Sequence, residues 1–339
     1  MTGTYTYDSP QDHATLIPRF TRYDSNPIFT SAESSVPVMY WPWAIKMAGL
    51  VTSPIDTYYM WYSTDHGAGG IYLATAPDPR GPWTDHGLVF QDPGENNSPA
   101  VQAECPSVMF NEVTGLWHCY YKTADPPGRL RLATSPDGVT GWTFHGPIIT
   151  APQPQFPGDG FCGYPRPARI GNLWVMHHLM GGENYPHFGI SWSHDGLTWQ
   201  TDPRPLVYQQ NLTQNILSPD GSPRRVEWNS GQVLRWQGQL MWIGQLANFT
   251  SGSEAVDRVI ACAPIADDLR TLLGPPTVLL TADPADYPWE SGNMRSLFVI
   301  HDDPDGQGDR LWLYYQCNQP AIGASTSNAF GLAIAEVPA

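Results

Sequence analysis

Positive charge is scarce in this chain. Its 339 residues include 17 Lys and Arg against 32 Asp and Glu, a formal net charge of −15. So acidic a balance repels polyanions, which excludes nucleic acid and anionic membrane faces as partners. Long apolar runs are missing as well. No stretch reaches the roughly 18 consecutive apolar residues that a membrane-spanning helix requires. The opening MTGTYTYDSPQDH has neither a basic region nor an apolar stretch and does not read as a secretory signal, so the expected location is the cytoplasm. Helical periodicity never extends beyond about two turns; the best candidate for a helical turn is ADDLRTLL at 266–273. Cys105, Cys119, Cys162, Cys262 and Cys317 are odd in number, scattered, and without metal-type spacing. They are expected to be buried free thiols. No Gly-rich phosphate loop, nucleophile elbow or dinucleotide fingerprint is present, and neither a cofactor nor a metal ion is expected.

Turn formers and aromatics are abundant: 34 Pro, 32 Gly, 14 Trp and 16 Tyr. Together with β-branched runs they indicate many short strands. Three phrases recur in fixed order. The first is an apolar strand: YYMWYS (58–63), WHCYYK (117–122), LWVMHHL (173–179), LMWIGQ (240–245) and LWLYYQ (311–316). The second leads to a turn: IYLATA (71–76), LRLATS (130–135), FGISWS (188–193), RVIACA (258–263) and FGLAIA (330–335). The third is a short apolar strand at 87–90, 146–149, 205–208 and 276–279, and its fifth copy, NPIFT (26–30), precedes the first repeat. Ring closure predicts that displacement, because an N-terminal strand that completes the last blade removes the free edge. The turns SPDGVTGW (135–142) and SHDGLTW (193–199) carry Asp-Gly pairs that favour tight turns with positive φ. These repeats predict an all-β chain: a five-bladed β-propeller of four-stranded blades, one domain over residues 1–339, closed by the strand at 26–30.

Each blade also needs an innermost strand, and the candidates are YWPWAIK (40–46), ECPSVMF (104–110), YPRPARI (164–170), EWNSGQVL (227–234) and NMRSLFVI (293–300). In antiparallel order the start of each inner strand shares one face with the loop between the second and third strands. Chemistry at the axis on that face must come from those two sets of residues.

The phrases NPIF at 26, YYMWYS at 58 and LRLATSPDG at 130 resemble the five-bladed propeller glycosidases of the arabinanase, β-xylosidase and invertase type. The resemblance runs from about Asn26 to Val337. It implies a carbohydrate-active enzyme. It also implies an acid at the inner-strand starts of blades one, two and three. Those places read Tyr40-Trp41-Pro42, Glu104-Cys105-Pro106 and Tyr164-Pro165-Arg166-Pro167, so only the second offers a carboxylate. The axial His associated with a metal in blade five of that group has no counterpart in Ser291-Gly-Asn-Met-Arg295. The chain reads as a divergent member that lacks the standard acid triad.

Glycoside hydrolysis needs two carboxyl groups facing one bond, one neutral and one ionised. Glu104, Glu227 and Glu290 lie at or just before inner-strand starts and are the candidate catalytic residues. Sugar rings stack on aromatic faces and need planar polar partners for their hydroxyls. The candidate substrate-binding residues are therefore Trp41, Trp43, Tyr164, Arg166, Trp228, Asn229 and Arg295, with His66 and His187 from the loops. His177 and His178 are adjacent in a strand, point to opposite faces, and cannot act as a pair. The expected function is hydrolysis of a furanoside or pyranoside, with a small carbohydrate or glycoside as partner. A lyase or cyclase using His, Tyr and Arg, and a non-catalytic sugar-binding propeller, are the alternatives.

Overall fold

The computed structural model describes residues 17–64, 69–94, 102–123, 129–150, 162–180, 187–203, 225–249, 255–290, 294–306, 310–318 and 328–336. Two short strands lead the chain, β1 (Thr21–Arg22) and β2 (Phe29–Thr30). Blade one follows as β3 (Tyr40–Lys46), β4 (Tyr58–Ser63), β5 (Ile71–Ala76) and β6 (Thr84–Phe90). Blade two is β7 (Ala103–Asn111), β8 (Leu116–Thr123), β9 (Arg129–Ser135) and β10 (Thr143–Thr150). Blade three is β11 (Cys162–Ile170), β12 (Leu173–Met180), β13 (His187–Ser193) and β14 (Gln200–Thr201). Blade four comprises β15 (Arg225–Trp236), β16 (Gln239–Phe249), β17 (Ala255–Pro264) and β18 (Thr277–Leu280). Blade five has β19 (Met294–Asp302), β20 (Arg310–Asn318) and β21 (Asn328–Glu336). Every blade is an antiparallel meander, and the expected five-bladed propeller is the observed fold.

The ring closes as the displaced repeat requires. β1 pairs with β21 at Thr21–Ile334 and Arg22–Ala333, and β2 pairs with it at Phe29–Phe330 and Thr30–Ala329. Between the two short strands the Asn26 side chain stands in for the backbone. Its Nδ2 donates to Leu332 O at 2.9 Å, and its Oδ1 accepts from Leu332 N at 2.8 Å. The ladder along β21 therefore runs on through a segment that is not itself a strand.

Apolar burial lies between blades. One core joins Trp312, Tyr314 and Phe330 of blade five to Tyr58, Met60 and Tyr62 of blade one. Similar cores follow between blades one and two, two and three, three and four, and four and five. All five cysteines are buried free thiols.

The Asp-Gly turns act as latches between blades. In blade two the Asp137 carboxylate accepts from the backbone N–H of Val139 and Thr140, and Gly138 takes φ +78°. Gly138 O then accepts from Trp61 Nε1 of blade one at 3.0 Å. Blade three repeats the device, with Asp195 on Leu197 and Thr198, Gly196 at φ +72°, and Gly196 O accepting from Tyr120 of blade two at 2.7 Å. The stretch at 266–273 is not helical: a bridge from Ile265 to Leu272 closes a loop in which Asp268 caps the N–H groups of Arg270 and Thr271. Local side-chain acceptors outcompete a helix there.

Candidate active site

All five inner strands carry a β-bulge near their start. The register slips between Tyr40 and Trp43, Glu104 and Ser107, Gly163 and Arg166, Trp228 and Ser230, and Arg295 and Phe298. In four blades the bulged residue is a non-glycine at positive φ: Trp41 (57°), Cys105 (54°), Tyr164 (51°) and Ser296 (48°). A left-handed conformation is costly for such side chains and persists only where the surroundings impose it. Here it recurs around one axis, so it is the device that turns these residues toward the centre.

The surroundings that impose it come from the neighbouring blade. Ser63 Oγ of blade one accepts from Cys105 N at 3.3 Å, Gln245 Oε1 of blade four from Ser296 N at 3.0 Å, and Gln316 Oε1 of blade five from Trp41 N at 3.4 Å. In blade two the matching place at the top of the second strand is Lys122, which cannot accept. Its Nζ faces Glu104 instead, at 3.4 Å, and the Tyr164 amide turns to the Cys105 thiol.

The residues singled out in the sequence separate into distinct settings. Glu104 is buried at the bulge of blade two, beside Lys122. Trp41 packs with Tyr40, Cys105 and Tyr164 in a cluster on the axis. The Trp41 and Tyr164 rings lie 6.1 Å apart. Burial pushes the Tyr164 phenol up, Cys105 and Glu104 reinforce the shift, and Arg258 and Arg295 oppose it. Burial likewise raises the Cys105 thiol, with Glu104 adding to the effect and Lys122 and Arg166 opposing it. Glu104, Lys122, Cys105, Tyr164, Arg258 and Arg295 thus share one electrostatic neighbourhood.

Arg166 lies deeper. It is 2% exposed, and its Nη1 donates to Ser107 Oγ and to Pro165 O, each at 3.2 Å. Its Nη2 reaches Leu297 O of blade five at 3.5 Å, and its guanidinium sits 5.5 Å from the Trp43 ring of blade one. One side chain therefore reaches the inner strands of three other blades and fills the middle of the ring. Burial lowers its pKa to about 10, and among the described residues no carboxylate pairs with it.

Glu290, Trp43 and Trp228 do not reach the axis. The Glu290 carboxylate takes two bonds from Arg22, one from the Tyr315 hydroxyl and one from Asp283 N. That places it at the ring closure, with its lone pairs committed to structure. Trp43 stacks on Phe298 at 3.8 Å and donates from Nε1 to Val108 O, so it is core. Trp228 is fully buried edge-on to Trp242. Glu227 pairs in backbone register with Ala247, and Ala247 with Arg258. Asn229 is the bulged residue of blade four, and His187 opens β13. His66 lies outside the described residues.

Lys122 and Arg258 were not singled out in the sequence, although a signal was present. The final letter of the second-strand phrase is polar in four blades, at Ser63, Lys122, Gln245 and Gln316. These are the residues that meet the bulges.

No protein-family model matches the chain. It is 24% identical over 205 residues to a protein of Aspergillus clavatus named "Probable arabinan endo-1,5-alpha-L-arabinosidase C", a match covering 57% of this chain and 54% of that one. The chain thus spans about half the length of that relative. Among solved structures, a thermostable family-43 glycoside hydrolase superposes with a TM-score of 0.60 at 15% identity, covering 90% of this chain and 91% of that one. An N-acetylgalactosamine deacetylase from F. plautii, in complex with blood group B trisaccharide, superposes at 0.61 with 13% identity, covering 95% of each chain. These likenesses show the fold alone, a five-bladed β-propeller.

Proposed function

We propose that the protein is a glycoside hydrolase acting on a furanoside or pyranoside in the axial pocket, with Glu104 as one of its two carboxyl groups. The observation that carries this reading is Glu104 itself. It is a buried carboxylate at the bulge of blade two, next to Trp41 and Tyr164 in the cluster on the axis. The arabinanase-named relative supports a glycosidic substrate. Hydrolysis also needs a second carboxyl group across the bond, and the residue we assign to that role is Glu227, at the corresponding start in blade four.

The test is chromophore release from a panel of nitrophenyl furanosides and pyranosides by wild type and Glu104→Gln. Loss of an acid–base group costs about 10²- to 10⁴-fold in turnover. Activity that persists undiminished in Glu104→Gln would remove the assignment.

A second reading is a non-hydrolytic enzyme, a lyase or cyclase that works through Tyr164 and the arginines. The clustering of Arg258 and Arg295 around the Tyr164 phenol favours it. The two readings part on the products: hydrolysis releases a saturated reducing sugar, whereas elimination leaves an unsaturated ring that absorbs in the ultraviolet.

A further inference from the structure

The axial region has hydrogen-bond donors to spare. Among the described residues, Arg166 Nε, Arg295 Nε and Gln316 Nε2 are buried without a hydrogen-bond partner, and so is Ser230 Oγ. All four belong to the inner or second strands of blades three, four and five, at the tiers of the bulge. Buried polar atoms are normally satisfied, so those of Arg295, Gln316 and Ser230, above the deeper Arg166, call for a partner on the ligand. Their sign is also unusual for this molecule. In a chain of net charge −15, Lys122, Arg166, Arg258 and Arg295 gather around Cys105 and Tyr164. Glu104 faces Lys122, and Arg295 has no ion-pair partner among the described residues.

We propose that this axial region binds its ligand through a carboxylate, so that the sugar it takes is acidic: a uronic acid or a uronide. The inference rests on the carbohydrate reading of the pocket and names the substrate class within it. A neutral hydroxyl satisfies one donor and leaves the guanidinium charge in place. A carboxylate offers two oxygens with about four acceptor sites and matches the guanidinium fork. Arg295, half-buried on β19, is the contact residue. Gln316 lies opposite it in register and supplies a neutral donor. Arg166, deeper in the ring, contributes charge but no contact.

Titration calorimetry in chloride-free buffer tests this directly, with D-galacturonate and D-glucuronate compared against D-galactose and D-glucose. Each uronate is expected to bind about tenfold or more tighter than its neutral counterpart, the scale of a charge-assisted hydrogen bond. Arg295→Gln should erase that preference, bringing each uronate to the affinity of its neutral counterpart, while Arg295→Lys should retain part of it. Circular dichroism confirms that each variant is folded. Equal affinity for charged and neutral sugars overturns the proposal, and so does a preference that survives Arg295→Gln. Chloride or acetate binding as tightly as the uronates overturns it too, since the site would then serve a small anion. Silence on the nitrophenyl panel leaves a uronate-binding result standing. Equally, loss of the uronate preference leaves hydrolysis of neutral glycosides standing.

Discussion

Arg22 and Glu290 meet across 268 positions of sequence, and the guanidinium donates from Nε to Oε1 and from Nη2 to Oε2, both at 2.8 Å. Arg22 belongs to β1, the strand that completes blade five from the far end of the chain. Glu290 also accepts from the Tyr315 hydroxyl at 2.7 Å on the second strand of that blade. The pair is a clasp for the ring: a bidentate, part-buried contact that only the closed propeller can make. Desolvation is the largest influence on Arg22 and acts against its charge, while Glu290 raises its pKa enough to outweigh it.

Breaking the clasp from one side leaves the other charge without its carboxylate or guanidinium partner, fully buried at Glu290 and half-buried at Arg22. Glu290→Gln and Arg22→Ala are each expected to cost about 3–5 kcal/mol of stability, read as a lower urea midpoint. Turnover per folded molecule of Glu290→Gln should match wild type, because the carboxylate faces the closure strand and not the axis.

The two turn glycines separate strain from crowding. A Cβ on Gly196 would sit 2.9 Å from Tyr120 Oη, at φ +72°. At Gly115, with φ +68°, it would meet nothing within 4 Å. Gly115→Ala is expected to cost about 1 kcal/mol, from backbone strain alone. Gly196→Ala should cost roughly 1–3 kcal/mol more, as overpacking does, because it also displaces the latch between blades two and three. Equilibrium unfolding of the two variants checks the difference.

Stability should fall in mild acid because of buried histidines. Burial lowers His118 and His177 to about 4 and His178 to about 3, the last helped by its neighbour His177. An unfolded histidine titrates near 6.5. Between pH 6.5 and about 4 the unfolded chain binds protons that the folded chain refuses, so stability drops as pH falls through that window. The slope approaches on the order of 1 kcal/mol per pH unit for each such histidine. The depressed aspartates, including Asp137, Asp195 and Asp268, keep their contribution until lower pH. His177→Gln should flatten the urea midpoint against pH between 6.5 and 4; an unchanged slope would remove His177 from this account.

Ser63 tests the caps on the bulges. Ser63→Ala leaves the buried Cys105 amide without its acceptor, an expected loss of about 1–3 kcal/mol. Ser63→Thr keeps the oxygen and should recover most of it. Because Cys105 follows Glu104 in the bulge, the Ala variant should also lower kcat on any substrate that wild type turns over. A thermal shift paired with kinetics tests both effects.

By itself the sequence determined the scaffold. Short apolar runs such as YYMWYS became β4 with the same ends, and the Asp-Gly text became latches with the expected positive φ at Gly138 and Gly196. The copy of the last strand at 26–30 showed that the ring closes through its N terminus. These features are local, or repeat at a constant period, so one dimension is enough to read them. Which side chains reach the centre was a different matter. Glu104 and Glu290 occupy similar places in the text, yet one turns inward at a bulge and the other is held by Arg22. Trp41 and Trp43, two residues apart, divide between the axis and the core. Tertiary structure decided these outcomes, because the bulges that aim the residues are imposed by side chains of the adjacent blade. Ser63, Gln245 and Gln316 each lie about 40 residues or more from the amides they cap, on opposite sides of the gap between blades. Only when five blades press around one axis do those acceptors meet their amides and Arg166 find itself at the centre.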